Sequence, residues 1–352
     1  MYDKRLQAIK ELMDEHGVSA LLVTHPANRF YLSGFELHDS QCNESSGCLL
    51  LRVNGPDWLL TDSRFTEEAR RRWPEEYIHV YGAPRLEKIA EFLKKQGISA
   101  LWVEIQSMCA EMYLELSREL DVRPAPRLVE KLREIKDAYE LDALRQSCRL
   151  NHHVYTVLER DVAPGMTERD VAWMLEREFR QNGAEALSFP PITAFGPNAA
   201  LPHAIPGMTR LELETPVLID MGGRLQNYCS DQTRTWWIGT KPSDVFRRTL
   251  DLVQEAQRLA IERIGPGVST AELHAVAKEY FARHGEAEHF THSLGHGIGL
   301  ETHESPGVGP IRPVLLKPGM VITVEPGLYY PEWGGVRWEY MVAVTENGHE
   351  VL

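Results

Sequence analysis

Two stretches of this chain repeat each other. VAPGMTERDVAWMLEREFRQNGA at 162–184 aligns without a gap on IGPGVSTAELHAVAKEYFARHGE at 264–286, so that Pro164, Gly165, Thr167, Asp170, Phe179 and Gly183 recur as Pro266, Gly267, Ser269, Glu272, Phe281 and Gly285. Thr167 and Ser269 read as helix N-caps, Asp170 and Glu272 as first-turn acids, and Gly183 and Gly285 as helix ends. Any amphipathic helix wants these caps, so each match alone is helix grammar. The shared spacing of 102 residues from Pro164 to Pro266 is what points to duplication. A second pair of segments agrees with it: VLIDMGG at 217–223 and ITVEPG at 322–327 carry Asp220 and Glu325 at matched places, 105 residues apart. A duplicated half-domain brings these two acids face to face across a pseudo-two-fold axis.

Further acids join them. Asp220 ends an apolar run, and Asp231 follows eleven residues later in YCSDQTRTWWIG, whose alternation and turn-like GGRLQN spacer predict a β-hairpin with both carboxylates on one face. Glu339 stands in GGVRWEYMVAVTE among Val336, Trp338 and Val342, where an unpartnered carboxylate is costly. THSLGHGIGLETHE adds His292, His296 and His303 among glycines 295, 297 and 299. Taken singly, an Asp at a strand end is a turn former and a histidine on a glycine-rich turn is a polar turn residue. The glycines resemble a phosphate loop only superficially, because no G-K-[ST] follows. Together they make a different case, since carboxylates 4 Å apart repel by about 4 kcal/mol per pair at an effective dielectric of 20. Two divalent cations neutralise Asp220, Asp231, Glu325 and Glu339. A set of oxygens with one imidazole and no thiolate favours manganese, with cobalt or zinc also suited.

Upstream, short β-rich runs at 20–24, 47–53, 77–83 and 100–104 alternate with helix-periodic segments at 64–73 and 85–96, behind a charged amphipathic helix at 1–17. This predicts an α/β domain over residues 1–125. DVRPAPRL at 121–128 reads as a linker, a long helix over 134–160 follows, and a second domain spans 130–352. A net charge of −13 and a pI near 5.6 argue against nucleic-acid or anionic-membrane partners. The N-terminus lacks a secretory h-region, and no apolar run is long enough to span a bilayer. Cys42, Cys48, Cys109, Cys148 and Cys229 are scattered, without a C-x-x-C pair, which suits free thiols in a reducing cytoplasm.

The order of Asp220, the SDQTRT segment with Asp231, HSLGHGIGLETHE, the EPG glutamate and GGVRWE resembles the pita-bread metallopeptidases: Xaa-Pro dipeptidase (prolidase), aminopeptidase P, methionine aminopeptidase and creatinase. FPPITAFGPNAALPHAIPG matches that family's upstream histidine segment, with His203 as the counterpart. NRFYLSGF, TDSRFTEEA and LREIKDAYELDALR resemble its creatinase-type N-terminal domain and connecting helix. The resemblance implies an α/β N-terminal creatinase-like domain ahead of an α+β pita-bread catalytic domain. It implies two metals held by Asp220, Asp231, His296, Glu325 and Glu339, with Asp231 and Glu339 bridging. His203 and His303 are then expected to flank the scissile bond, His292 to line the proline pocket and Arg337 to brace the site. The implied activity is hydrolysis of the Xaa-Pro bond in dipeptides and longer peptides, by a homodimer. The other readings are a metal-using C–N hydrolase or lyase of the same fold, and a non-catalytic binding protein. Creatinase itself works without metal and does not keep the five ligands found here. Two departures stand out: Tyr340 replaces the Asp that many members carry after the last glutamate, and HESPG lacks a basic residue just after His303, leaving Arg312 as the substitute candidate for gripping a substrate carboxylate.

Overall fold

The computed structural model describes residues 1–39, 41 and 43–352. The chain divides into two compact units, Met1–Arg133 and Glu134–Leu352.

The first unit is built on one mixed sheet of strands β1 (Ala20–Val23), β2 (Gly47–Arg52), β3 (Trp58–Thr61), β4 (Ile78–Val80), β5 (Ala100–Val103) and β6 (Asp121–Pro124), in the order β4-β3-β2-β1-β5-β6. Helices α1 (Tyr2–Glu15), α2 (Pro26–Ser33), α3 (Thr66–Arg72), α4 (Arg85–Lys95), α5 (Ala110–Glu119) and α6 (Leu128–Arg133) complete it. Leu22, Leu50, Leu60 and Leu101 from the sheet meet Ile89, Leu93 and Leu116 of α4 and α5 in one core. The expected linker at 121–128 is not one: Asp121–Pro124 runs parallel to β5 as an edge strand, from Ala100↔Asp121 to Val103↔Pro124. Its side chains are largely exposed, so backbone pairing rather than apolar burial creates it, and proline is tolerated at an edge.

In the second unit, α7 (Ala138–Asp161) starts later than the sequence predicts, because Asp137 and Glu140 form a reciprocal capping box. Helices α8 (Glu168–Gln181), α9 (Asp244–Ile261) and α10 (Thr270–Arg283) follow. Thr167 caps α8 by accepting from Asp170 N, and Ser269 caps α10 by accepting from Ala271 N, at the repeat-matched positions. Phe179 and Phe281 each lie fully buried in separate cores. The first core holds Val154, Leu158, Leu175 and Ile219; the second holds Val253, Ala256, Leu273 and Ile322. Thus each half stacks a helix pair on its own sheet.

The strands of this unit are β7 (Ala186–Leu187), β8 (Ile192–Phe195), β9 (Thr215–Met221), β10 (Gly223–Leu225), β11 (Tyr228–Cys229), β12 (Gln232–Ile238), β13 (Gly295–Gly297), β14 (Glu304–Val308), β15 (Val321–Val324), β16 (Gly327–Tyr330), β17 (Gly334–Arg337), β18 (Tyr340–Thr345) and β19 (Gly348–Val351). They form sheets β12-β9-β8 and β14-β13-β15-β18-β19, a smaller sheet β11-β10-β7 and the hairpin β16-β17. Gln226 and Asn227, with φ of 52° and 69°, make the tight turn from β10 to β11. Among the described residues, Cys48, Cys109, Cys148 and Cys229 are free thiols; Cys42 lies outside them. Among the described residues, no helix is long and apolar enough to cross a membrane.

Candidate metal centre and active site

Strand pairing explains how distant acids converge. β9 and β12 are antiparallel with Thr233 opposite Asp220, so Asp231, just ahead of β12, lies beside Asp220 as the hairpin reading expects. From the second half, β13 carries His296, β15 ends immediately before Glu325, and Glu339 sits between β17 and β18. β13 must run close against its neighbours: a Cβ on Gly295 would lie 2.0 Å from Thr323 O, and one on Gly297 2.3 Å from Ser305 O. These glycines therefore serve close strand approach, not phosphate binding.

His296 Nδ1 faces the Gly297 carbonyl at 3.0 Å, and a carbonyl only accepts, so Nδ1 carries the hydrogen. Nε2 is left aimed at Asp231 Oδ2 (3.5 Å) and Glu325 Oε1 (3.3 Å). Thr323 holds this pair from behind: its Oγ1 accepts from His296 N at 3.0 Å and donates to Glu325 Oε1 at 3.2 Å. Glu339 is 1% exposed; its Oε2 accepts from Thr233 Oγ1 at 2.8 Å, while its Oε1 is buried without a partner. Asp220 likewise has Oδ2 on Arg337 Nη2 (2.7 Å) and a buried, partnerless Oδ1. One ligand atom each from Asp231, His296 and Glu339 falls within 4.8 Å of the others.

The electrostatics carry the same message. Burial, then repulsion from the neighbouring carboxylates, pushes Asp231 and Glu339 well above the usual carboxylate range. Burial would raise Glu325 too, but the His296 hydrogen bond and charge hold it down at about 2. Orphaned buried oxygens, an imidazole nitrogen aimed among them and carboxylates whose ionisation burial and mutual repulsion oppose are the features of a site built for cations. The residues present fit divalent metal.

Asp220, Asp231, His296 and Glu325 line one cavity of about 570 Å³ together with His203, His292, His303 and Arg337; Glu339, buried on Thr233, is not part of the lining. Phe189, Pro190, Pro191, Ile192 and Ile205 form an apolar side. The His303 and His296 ring centroids lie 4.1 Å apart with the rings tilted by 48°, and partial burial and the His296 charge lower the pKa of His303. His292 donates through Nδ1 to Ser293 O (2.7 Å), which leaves Nε2 to accept from Tyr329 Oη at 2.9 Å, the pairing of a neutral ring, and burial lowers its pKa in the same sense. Arg337, 3% exposed, ties the site together: Nε donates to Thr233 Oγ1 (2.9 Å), Nη1 to Tyr329 Oη (2.9 Å) and Pro202 O (3.2 Å), and Nη2 to Asp220.

All nine residues singled out in the sequence thus belong to one neighbourhood. Arg312 does not: it is exposed, at a φ of 55°, and is absent from the cavity lining. Loop direction, unreadable from composition, turns it away. Sequence reasoning missed Thr233 and Tyr329. The period-two spacing of Asp231, Thr233 and Thr235 was a signal for the first, since alternate residues of a strand share a face; nothing local marked Tyr329.

Comparison with known proteins agrees with this arrangement. Residues 142–346 match the model of metallopeptidase family M24, and residues 5–135 match the creatinase/prolidase N-terminal domain. A Pyrococcus furiosus protein named Xaa-Pro dipeptidase is 32% identical over 349 residues, covering 99% of this chain and 97% of the relative. The solved Xaa-Pro dipeptidase from Bacillus anthracis superposes with a TM-score of 0.92 at 32% identity, covering 100% of this chain and 97% of that one. X-Pro aminopeptidase from Thermotoga maritima superposes with a TM-score of 0.83 at 30% identity, covering 95% of each chain. With its paired half-sheets, its convergent acids and these matches, the chain belongs to metallopeptidase family M24 and carries a creatinase/prolidase N-terminal domain ahead of its catalytic domain.

Proposed function

We propose that this metallopeptidase cleaves the Xaa-Pro bond with two divalent ions, manganese first among the candidates, held by Asp220, Asp231, His296, Glu325 and Glu339. The observation that carries the reading is the pair of buried, partnerless oxygens, Asp220 Oδ1 and Glu339 Oε1, beside an imidazole nitrogen, His296 Nε2, aimed at the carboxylates of Asp231 and Glu325. When bound, the ions supply Lewis-acid activation of water and of the scissile carbonyl. The protein's own groups do the rest. Glu325, ionised well below neutral pH, takes the proton of the attacking water and passes it to the proline nitrogen. That nitrogen has no N–H of its own, and its ring restricts the preceding residue, which is why this bond calls for a dedicated site. His203 and His303 face the cavity as donors to the developing oxyanion and the leaving nitrogen. Neutral His292, locked by Tyr329, lines the proline ring's position, and Arg337 holds Asp220 and the Pro202 carbonyl next to His203.

A second reading, aminopeptidase action on longer peptides, is favoured by one feature. The cavity lining has no lysine, and its one arginine, Arg337, is already committed to Asp220, Thr233 and Tyr329, leaving no guanidinium for a dipeptide's carboxylate. The test is kcat/KM for Ala-Pro, Ala-Pro-Ala-Ala, Ala-Ala and creatine after chelation and reloading with Mn²⁺. Turnover of the proline peptides alone supports the proposal, and faster cleavage of the tetrapeptide assigns the aminopeptidase role. Turnover of creatine alone, or of nothing by protein with both metals bound, overturns it. The homodimer belongs to this same reading, resting on the family resemblance, and light scattering tests it.

A further inference from the structure

Arg234 stands in the SDQTRT segment on the face of β12 opposite Thr233 and Thr235, and the chemistry above gives it no task. It is buried, 4% exposed, yet its hydrogen bonds go to carbonyls rather than carboxylates: Nη1 donates to Thr233 O at 2.9 Å and to Glu339 O. Its guanidinium carbon lies 4.3 Å from the ring centroid of Tyr340, 4.6 Å from that of Trp338 and 5.8 Å from that of Tyr155. A desolvated cation is costly to keep, and the π-faces of three aromatic rings offset that cost where an anion otherwise would. The place it occupies is specific. β12 is the edge of the first half-sheet and β18 belongs to the second; they are separate sheets, joined locally where Glu339 N donates to Thr233 O at 3.2 Å. Asp220 and Asp231 come from one side of that seam, and His296, Glu325 and Glu339 from the other.

We propose that Arg234 is a positioning residue: clamped by Tyr340, Trp338 and Tyr155, it staples the seam at Glu339 and sets the spacing between Asp231 and Glu339. A planar guanidinium reaches both carbonyls from one nitrogen while its plane is held by the rings, which a methionine of similar length cannot do. The inference rests on the reading of Glu339 as a metal ligand.

Calorimetric titration of chelated protein with Mn²⁺, alongside kcat and KM for Ala-Pro, tests it. Arg234→Met is expected to weaken Mn²⁺ binding tenfold or more, and Tyr340→Ala three- to tenfold, while Tyr340→Phe, which keeps the ring, stays within twofold of wild type. Excess Mn²⁺ is expected to restore most of the kcat of Tyr340→Ala with KM unchanged. Wild-type Mn²⁺ affinity in folded Arg234→Met overturns the proposal. Should Arg234→Met fail to fold, wild-type affinity in Tyr340→Ala overturns it, as does an equal loss in Tyr340→Phe and Tyr340→Ala. Glu339→Gln separates the two levels: if it too binds Mn²⁺ normally, the ligand reading falls, whereas if it alone weakens binding, only the role of Arg234 falls.

Discussion

His296 owes its usefulness to the hydrogen bond on its other side, because Nδ1 is committed to the Gly297 carbonyl and Nε2 is thereby presented to Asp231 and Glu325. Glu325 stands next to it, and the hydrogen bond and charge of His296 outweigh its burial and hold its carboxyl down at about 2. Glu325→Gln is therefore expected to keep the fold and lower kcat by at least about 10³-fold, since an amide neither takes up nor passes on the proton. His203→Ala and His303→Ala should each lower kcat/KM by roughly 10²-fold through lost hydrogen bonds in the transition state, with metal content unchanged by elemental analysis. Near-normal turnover in both histidine variants would remove them from the chemistry. His296, His303 and Glu325 were visible in the sequence because a histidine or carboxylate in an apolar or glycine-rich run is conspicuous, whereas His203 was reached only through the family resemblance. The hydroxyls that orient them, on Thr233, Thr323 and Tyr329, were not, because Thr and Tyr are ordinary strand residues whose partners lie far along the chain.

At the scale of elements, the glycines of β13 and the buried clamp of α2 each carry a measurable prediction. Gly295→Ala puts a methyl group 2.0 Å from Thr323 O, so β13 must move away from β15 and take His296 with it. A loss of about 3 kcal/mol or more in denaturant unfolding, together with weakened Mn²⁺ binding, is expected. In the first unit, Arg29 on α2 is fully buried and holds Asp39 at 2.9 Å, with further donations to the Gly47 and Glu36 carbonyls. Burial alone would raise the Asp39 carboxyl, but the hydrogen bonds and charge of Arg29 hold it below its ordinary value. A depressed acid stabilises the fold fully above its unfolded pKa and loses that contribution as pH falls through the folded one. Asp39→Asn should thus cost about 3 kcal/mol at pH 7 by leaving Arg29 without its anion. The gap from wild type should begin to narrow below about pH 4, where the unfolded chain's aspartate takes up its proton, and close as pH falls through the lower folded value, where the native aspartate also becomes neutral. A gap independent of pH would mean that Asp39 acts by shape and not by charge.

On the scale of the whole molecule, the catalytic unit holds two half-sheets together around a cluster of acids that repel one another when no cation is present. Chelation is expected to lower the Tm, and Mn²⁺ at a hundred times its Kd should stabilise the fold by about 2.7 kcal/mol per site, read by thermal unfolding across a metal titration. An unfolding curve indifferent to chelator and to Mn²⁺ would contradict a metal centre formed by both halves.

Helix caps and apolar periodicity are local properties, and with the repeat spacing they were enough to place α8 and α10 as counterparts and to pair Asp220 with Glu325; the clustering of His292, His296 and His303 was plain in one segment, while Arg337 came into consideration through the family resemblance. Capping and periodicity act within a few residues, so one sequence carries them in full. Edge strand β6, the outward turn of Arg312, the Tyr329–Arg337–Asp220 linkage and the seating of Arg234 among aromatic rings depend on segments brought together across as many as 117 residues. Those were decided only by the tertiary structure. A strand made by backbone pairing, or a side chain oriented by a distant hydroxyl, leaves no periodic trace in the residues that form it.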